Sequence, residues 1–221
     1  VAGGIFGGSL YFFTENTALG ITQASNVSFI ICTAPLLTTI LSLLFYKSEK
    51  ASKGLIYGSL LALMGVGLIV FNGSFVLKIS PIGDLLTLLA ALSWAFYSLI
   101  IKKMAGRYPT VFITRKIFFY GVLTILPAFL LHPLHPDTVV LLQPAVLFNL
   151  LFLAVLASLI CYVLWNLVLK QLGTVRASNY IYLNPLVTMI ASFLILDEKI
   201  TLVALGGAAC IVCGVYWAEK K

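Results

Sequence analysis

The sequence predicts an all-α, polytopic membrane helix bundle, and three observations support that prediction. First, 61% of the 221 residues are hydrophobic and only 10% are charged, whereas an ordinary soluble domain is roughly a quarter charged. Second, the mean hydropathy is +1.09. Third, apolar stretches close to the roughly 20 residues needed to cross a bilayer recur along the chain. A water-soluble surface cannot be built from this composition.

Eight apolar stretches are predicted to be transmembrane helices, separated by charged or turn-forming residues. Transmembrane strands are a poor alternative because they alternate apolar and polar residues, whereas residues 85–92 are almost continuously apolar. Helices also satisfy their own backbone groups within lipid. The predicted spans are residues 3–21, 26–46, 54–71, 83–104, 111–131, 145–169, 177–196 and 201–218.

Lysine and arginine are unevenly distributed among the predicted loops. One side of the membrane holds twelve of them and the other side holds two. Because cytoplasmic loops retain an excess of basic residues, we expect a multi-pass protein of the cell (plasma or inner) membrane with a cytoplasmic C-terminus. The net charge of +7 follows from this orientation, and nucleic acid is not an expected partner. The twelve are Lys47, Lys50, Lys53, Lys102, Lys103, Arg107, Arg115, Lys116, Lys170, Arg176, Lys220 and Lys221; the two are Lys78 and Lys199.

The first three predicted spans resemble the last three when the chain is shifted by 150 residues. This shift places Asn16 on Asn166 and Pro35 on Pro185, and similarly Ser28 on Ser178. A shift of 151 places Tyr11 on Tyr162 and Glu15 on Asn166 instead, so the register of the first span stays open by one residue. Since the basic residues give the two triplets opposite orientations, we predict an inverted repeat, an arrangement typical of secondary transporters.

The repeat predicts the domain organisation. Two spans precede the second triplet, at 83–104 and 111–131, so we predict a unit of five helices and ten helices in all. Residues 1–72 are then the last three helices of the first repeat, 73–82 are a linker, and 83–221 are the complete second repeat. We expect two further helices before Val1, and no signal peptide, because residues 3–21 lack a basic start and a cleavage pattern.

Several short phrases carry a resemblance to a known family. Their order, spacing and duplication resemble the EamA-type members of the drug/metabolite transporter superfamily, over essentially the whole chain. The phrases are Gly83-Asp84-Leu85-Leu86 with residues 90–95, Arg176-Ala177-Ser178 through Asn184-Pro185 to Asp197-Glu198, and in the first half Ala24-Ser25-Asn26-Val27 through Ala34-Pro35 to Glu49.

The resemblance implies ten helices in two inverted five-helix repeats and a function in secondary transport. We therefore expect a small metabolite, amino acid or drug to cross the membrane by alternating access, with export favoured. A flippase of a lipid-linked substrate and a receptor or structural membrane protein are the alternatives. Expected partners are the small-molecule substrate and membrane lipids. The family pattern assigns no catalytic residues, and its substrates remain open.

Glu15 is the acidic residue closest to the middle of a predicted span. It lies about 12 residues into the first span, roughly 18 Å at 1.5 Å per residue. An ionisable group at that depth is by default a functional hypothesis, so we predict that Glu15 binds a cationic group or exchanges a proton or ion. The alternative is a carboxyl that burial keeps neutral or that pairs with another helix.

Further pathway residues are predicted from the repeat and from helical faces. Broken helices at equivalent repeat positions point to a transport site, which makes Pro35 and Pro185 candidate hinges. Asn166 has an alternative role as an interhelical hydrogen bond, and the aromatic residues have one in packing. The remaining candidates are Tyr11, Asn16, Trp94, Ser98, Tyr162, Trp165, Tyr180 and Asn184.

The remaining predictions concern packing and chemistry. Glycines in the third and eighth spans, among them Gly65 and Gly207, predict close helix packing, either with each other or with a second subunit in a homodimer. His132 and His135 lie beside prolines in a loop and do not predict a metal site. Without a nucleophile and base or paired carboxylates within the membrane, we predict neither an enzyme nor a cofactor.

Overall fold

The computed structural model describes residues 1–46, 52–71, 80–131, 138–196 and 200–220, and its regular elements there are helices. A short helical turn, Thr138–Leu141, lies between the fifth and sixth of eight longer helices. We label these α1 (residues 2–21), α2 (Ala24–Phe45), α3 (Lys53–Phe71), α4 (Pro81–Ala105), α5 (Thr110–Leu131), α6 (Pro144–Leu172), α7 (residues 174–196) and α8 (Leu202–Glu219).

Helices α2 to α8 are each long and apolar enough to cross a membrane, which gives seven candidate spans in the described part of the chain. Helix α1 is not among the seven, because its glycines together with Glu15 and Asn16 lower its hydropathy. It still packs against α4 and α5 within the bundle. A polytopic helical bundle is therefore the observed architecture, and the eighth crossing stays a prediction.

The connection between α6 and α7 is tighter than the sequence predicted. Residues 170–176 were expected to separate the two helices, but Gly173 alone does so. Its φ of +80° is a conformation that glycine adopts without a Cβ penalty, so the chain reverses within one residue.

This short connection also accounts for the one-residue ambiguity in the repeat. Helices α1 and α6 end at residues 21 and 172, which are 151 apart, whereas α2 and α7 begin at residues 24 and 174, which are 150 apart. Thr22 and Gln23 join the first pair of helices where Gly173 joins the second. Glu15 is therefore the counterpart of Asn166, and Tyr11 of Tyr162.

Helices α1 and α6 each contain a π-helical segment. In α1 it is Ile5–Ser9, and in α6 it is the longer Phe152–Ile160. A shift of 151 residues places 5–9 on 156–160, inside the second segment. Single π-helical turns are frequent at functional sites, and here they occur at matching positions in two related helices.

Helices α2 and α7 are interrupted at matching positions, as their prolines predicted. Helix α2 consists of Ala24–Ile31 and Ala34–Phe45, with a turn between them. Helix α7 passes through a 3₁₀ segment, Tyr180–Leu183, before its last part begins at Asn184. Pro35 and Pro185 are each the second residue of the helical part that follows the interruption. Proline lacks an N–H and is tolerated in the first turn of a helix.

Helices α3 and α8 pack along much of their length through glycines. A Cβ atom added to Gly65 would lie 2.5 Å from the Gly207 carbonyl oxygen, and one added to Gly214 would lie 2.5 Å from the Gly58 carbonyl oxygen. Such close backbone approach needs small residues. The sequence predicted that these helices pack either against each other or against a second subunit. The structure shows α3 packed against α8.

The first half of α6 extends away from the rest of the bundle. Residues 144–160 bury no side chain, whereas Cys161–Leu172 packs against α4, α5 and α7. Helix α6 therefore leaves the bundle within its π-helical segment.

Several residues that the sequence places in loops lie outside the described residues. They are Lys47, Glu49, Lys50, Asn72, Gly73, Lys78, His132, Pro133, His135, Asp197, Glu198, Lys199 and Lys221.

Candidate functional site

A cavity of about 330 Å³ lies between α1, α4 and α6, at the point where α6 leaves the bundle. Its volume is within the range of small-molecule sites. Five of the predicted pathway residues line it, namely Tyr11, Glu15, Trp94, Tyr162 and Trp165. Helix α1 contributes the first two, α4 the third and α6 the last two. The structure thus brings together residues that are far apart in the chain.

Glu15 is the single carboxyl among the residues that line this cavity. The Tyr11 hydroxyl, one turn earlier on α1, donates a hydrogen bond of 3.0 Å to Oε1 of Glu15. This bond fixes the carboxyl while leaving lone pairs for a further donor. Among the described residues, no group of three or more His, Cys, Asp or Glu side chains is arranged to hold a metal ion.

Aromatic rings form the wall of the cavity, and Trp94 is at their centre. Its ring centroid lies 5.1 Å from that of Tyr11 and 5.7 Å from those of both Tyr162 and Trp165. The faces of such rings attract cations, an effect that strengthens where water is excluded. A carboxyl and several ring faces on one cavity suit a ligand that has a cationic group.

The indole nitrogens of Trp94 and Trp165 are buried and have no hydrogen-bond partner among the described residues. An unpaired buried donor costs roughly 1–3 kcal/mol. Both nitrogens are covered by neighbouring atoms, so a ligand can accept hydrogen bonds from them only after groups around them move. A ligand with a carboxylate or carbonyl group would supply the missing acceptor.

Helix α1 is held in place through main-chain carbonyls of its π-helical segment. The Tyr162 hydroxyl donates to the Gly7 carbonyl oxygen at 2.6 Å, and the Ser93 hydroxyl donates to the Phe6 carbonyl oxygen at 2.8 Å. A Cβ atom on Gly7 would overlap the ring of Tyr97, so glycine is needed there. These contacts fix the height of Glu15 relative to α4 and α6.

Asn166 does not line the cavity, although its chain neighbour Trp165 does. The Tyr97 hydroxyl donates to Asn166 Oδ1 at 2.7 Å, and Asn166 Nδ2 donates to the Thr114 hydroxyl at 2.9 Å. Both ends of the amide are therefore used to join α6 to α4 and α5. This geometry is that of the interhelical hydrogen bond, the alternative that the sequence left open.

Four other predicted pathway residues also lie away from this cavity. The Asn16 side chain is exposed, and its amide donates to the Phe12 carbonyl oxygen at 2.8 Å. The Ser98 hydroxyl is buried and donates to the Trp94 carbonyl oxygen at 3.0 Å. Tyr180 and Asn184 are exposed on α7. Pro35 and Pro185 are buried at the helix interruptions.

Sequence reasoning missed five residues that line the cavity: Phe12, Leu153, Ala157, Ser158 and Cys161. Ser158 and Cys161 share a helical face with Tyr162 and Trp165, at spacings of three or four residues. That periodicity was a usable signal. Phe12 gave none, because it neighbours Tyr11 and its direction depends on how α1 is rotated in the bundle.

Comparison with known proteins decides the class to which this bundle belongs. The chain matches the EamA-like transporter family over residues 1–71 and 81–218. It is a member of that family. This EamA-like chain is accordingly a multi-pass membrane transporter.

Individual relatives of the EamA-like chain agree with this assignment. An uncharacterized transporter of Archaeoglobus fulgidus is 30% identical over 97% of this chain and 73% of its own length. A probable amino-acid metabolite efflux pump of Salmonella typhimurium is 29% identical over 78% of this chain and 60% of its own length. A crystal structure with 20% sequence identity matches 98% of this chain and 73% of its own with a TM-score of 0.80, which shows the same fold.

Proposed function

We propose that this EamA-like transporter exports a small amine-bearing solute, such as an amino acid, a related metabolite or a drug, across the cytoplasmic membrane. The observation that carries the proposal is the position of Glu15, a carboxyl on a cavity in which five of the ten lining residues are aromatic. An ionisable group placed within the membrane-spanning part of a transporter is costly and is typically part of its pathway.

The cavity residues suit two parts of one solute. Glu15 accepts hydrogen bonds from an ammonium group, and the faces of Tyr11 and Trp94 stabilise its charge. The indole N–H groups of Trp94 and Trp165 supply donors for a carboxylate or carbonyl group on the same molecule. A solute that has both an ammonium and a carboxylate or carbonyl group can bond to Glu15 and to the indole N–H groups at once, whereas a solute with one of these groups cannot.

Alternating access in this proposal is a bending of repeated helices. The matched π-helical segments of α1 and α6, and the matched interruptions before Pro35 and Pro185, support two inverted five-helix units that move around the cavity. Bending of α6 within Phe152–Ile160 would bring its uncovered half over the solute. Glu15 would exchange its proton for the amine during the cycle, which couples export to the proton gradient.

The direction of transport is proposed from two supports. The Salmonella typhimurium relative is described as a probable efflux pump, and the basic residues favour a cytoplasmic C-terminus. In an exporter with this orientation, the solute binds from the cytoplasmic side, where Arg107 and Arg176 lie, and is released on the outside.

Intrinsic fluorescence gives a direct test of binding, because the sequence has three tryptophans. Trp217 is exposed on α8 and does not line the cavity, so Trp217→Phe leaves Trp94 and Trp165 as reporters. Each amino acid of a panel is titrated into this variant, and its N-acetyl derivative, which lacks the ammonium group, is titrated in a separate experiment. We expect a saturable fluorescence change with at least one free amine and none with its acetylated form.

Transport is then measured with the same pair in inside-out vesicles that carry a proton gradient. The free amine should accumulate and the acetylated form should not. Equal binding of the two forms, or no binding and no accumulation across the whole panel, would contradict the proposal. Movement of a lipid-linked substrate alone would favour the flippase alternative.

A further inference from the structure

A second cavity, of about 320 Å³, lies at the other end of the bundle, between the ends of α2, α3, α7 and α8. It shares no lining residue with the Glu15 cavity. Two basic residues, Arg176 and Lys220, line it together with Thr174 and Glu219. By the distribution of basic residues, this end faces the cytoplasm.

A surface groove continues from this cavity onto the outside of α3 and α8. The groove shares Ser52 and Lys220 with the cavity and is also lined by Lys53, Tyr57 and Trp217. A Cβ atom on Gly54 would lie 2.9 Å from the Trp217 carbonyl oxygen and 3.4 Å from that of Lys220. The two helices are therefore in contact here, which places Lys53 and Lys220 side by side.

The aromatic residues of the groove indicate the level of the membrane surface. Tyr57 and Trp217 are 64% and 53% exposed on lipid-facing helices, next to two lysines. Tyrosine and tryptophan are enriched at the level of the lipid head groups, and basic pockets between transmembrane helices on the cytoplasmic side bind head groups. The surroundings of the cavity are those of a phospholipid head group.

Two atoms on the cavity determine what the head group must carry. Thr174 is fully buried and its hydroxyl has no hydrogen-bond partner among the described residues. Glu219 is half-buried, and its Oε1 is likewise covered and without a partner among the described residues. Both oxygens accept hydrogen bonds, and the carboxylate is restricted to accepting them. A head group with N–H donors satisfies both atoms, whereas a quaternary amine has none to offer.

We propose that this cavity binds the head group of a phospholipid with a primary ammonium, phosphatidylethanolamine. Its phosphate lies among Lys53, Arg176 and Lys220, and its ammonium donates to Glu219 and Thr174. Its acyl chains follow the groove past Tyr57 and Trp217. Charge complementarity decides the occupant: three cations match the phosphate, and one carboxylate matches the ammonium.

Phosphatidylcholine is the matched control lipid, because three methyl groups replace the N–H donors while the phosphate is unchanged. The purified full chain in detergent is mixed with equal amounts of dioleoyl phosphatidylethanolamine and dioleoyl phosphatidylcholine, and retained lipid is counted by native mass spectrometry. We expect the ethanolamine lipid to be retained about tenfold more strongly, the effect of charge-assisted hydrogen bonds.

Three variants assign the contacts. Glu219→Gln should reduce retention of the ethanolamine lipid to the level of the choline lipid, and Lys220→Ala should weaken both lipids. Lys103→Ala removes a basic residue from the same end of the bundle, away from both surfaces, and should change neither. Equal retention of the two lipids by the unchanged protein would overturn the proposal, whether or not any variant folds. An undiminished preference in Glu219→Gln, or equal losses in Lys103→Ala and Lys220→Ala, would also overturn it.

Discussion

The Tyr11 hydroxyl donates a hydrogen bond of 3.0 Å to Oε1 of Glu15, and both side chains line the cavity between α1, α4 and α6. The two residues are one helical turn apart, so the bond is local and does not depend on how helices pack. The ring of Tyr11 in turn lies 5.1 Å from that of Trp94, centroid to centroid.

Replacing Glu15 with glutamine should weaken binding of the amine about tenfold, or 1.4 kcal/mol, because an ammonium loses its charged acceptor. The measurement is the fluorescence titration in the Trp217→Phe background. Asn16→Ala, a change on an exposed part of the same helix, is the matched control and should bind normally. A Glu15→Gln protein with unchanged affinity and pH-dependent accumulation would leave Glu15 a structural role only. Unchanged affinity with lost accumulation would assign it to proton exchange alone.

Cys161 lines the cavity and is exposed, whereas Cys32 is buried. We expect a bound amine to slow the reaction of Cys161 with a small maleimide, because the solute occupies the space beside the thiol. The rate is measured on a variant that keeps only this cysteine. A second variant that keeps only Cys213, which is exposed on α8, should show no protection. Equal protection of both thiols, or of neither, would move the binding site elsewhere.

Asn166 should contribute to stability more than to solute recognition. Asn166→Ala leaves the buried Tyr97 hydroxyl without its acceptor and removes the donor to Thr114, whose own hydroxyl still donates to the Thr110 carbonyl oxygen. The change should destabilise the protein by about 1–3 kcal/mol. Thermal unfolding in detergent measures the effect, and Asn16→Ala should stay within about 0.5 kcal/mol of the unchanged protein. Adding Tyr97→Phe should cost less than the sum of the single changes. Fully additive effects would contradict the hydrogen bond.

Gly206 and Gly207 are neighbours on α8 with opposite environments. A Cβ atom at Gly207 would lie 2.7 Å from the Gly65 carbonyl oxygen, whereas nothing lies within 4 Å of one at Gly206. Gly207→Ala should therefore destabilise the protein by about 1–3 kcal/mol. Gly206→Ala should be neutral or stabilising by up to about 1 kcal/mol, because alanine favours the helix. Equal melting temperatures for the two variants would be inconsistent with this packing.

The orientation of the bundle can be tested at two exposed connections, Gln23 between α1 and α2 and Gly106 between α4 and α5. With native cysteines removed, Gln23→Cys should react with an impermeant maleimide from the outside of intact cells. Gly106→Cys, next to Arg107, should react only after the membrane is opened. Reaction of both from the same side would refute the predicted topology.

Most of the fold follows from hydropathy, because residues that face lipid must be apolar over a bilayer's thickness. The position of Gly173 as the sole link between α6 and α7 did not follow, since it depends on one left-handed residue. In the site, Tyr11 and Glu15 were predictable from their spacing. The Asn166 hydrogen bonds were not, because their partners on α4 and α5 are set by how three helices are rotated against one another.

Glu15 and Asn166 occupy equivalent positions in two related helices, yet one lines the cavity and the other joins α6 to α4 and α5. Helices α1 and α6 thus have similar backbones, but their side chains at this equivalent position make different contacts. The amide joins the Cys161–Leu172 part of α6 to α4 and α5, so in the proposed transport cycle this part of the helix stays in place. The uncovered residues 144–160 belong to the same continuous helix, so the proposed closure over the solute requires α6 to bend within its π-helical segment.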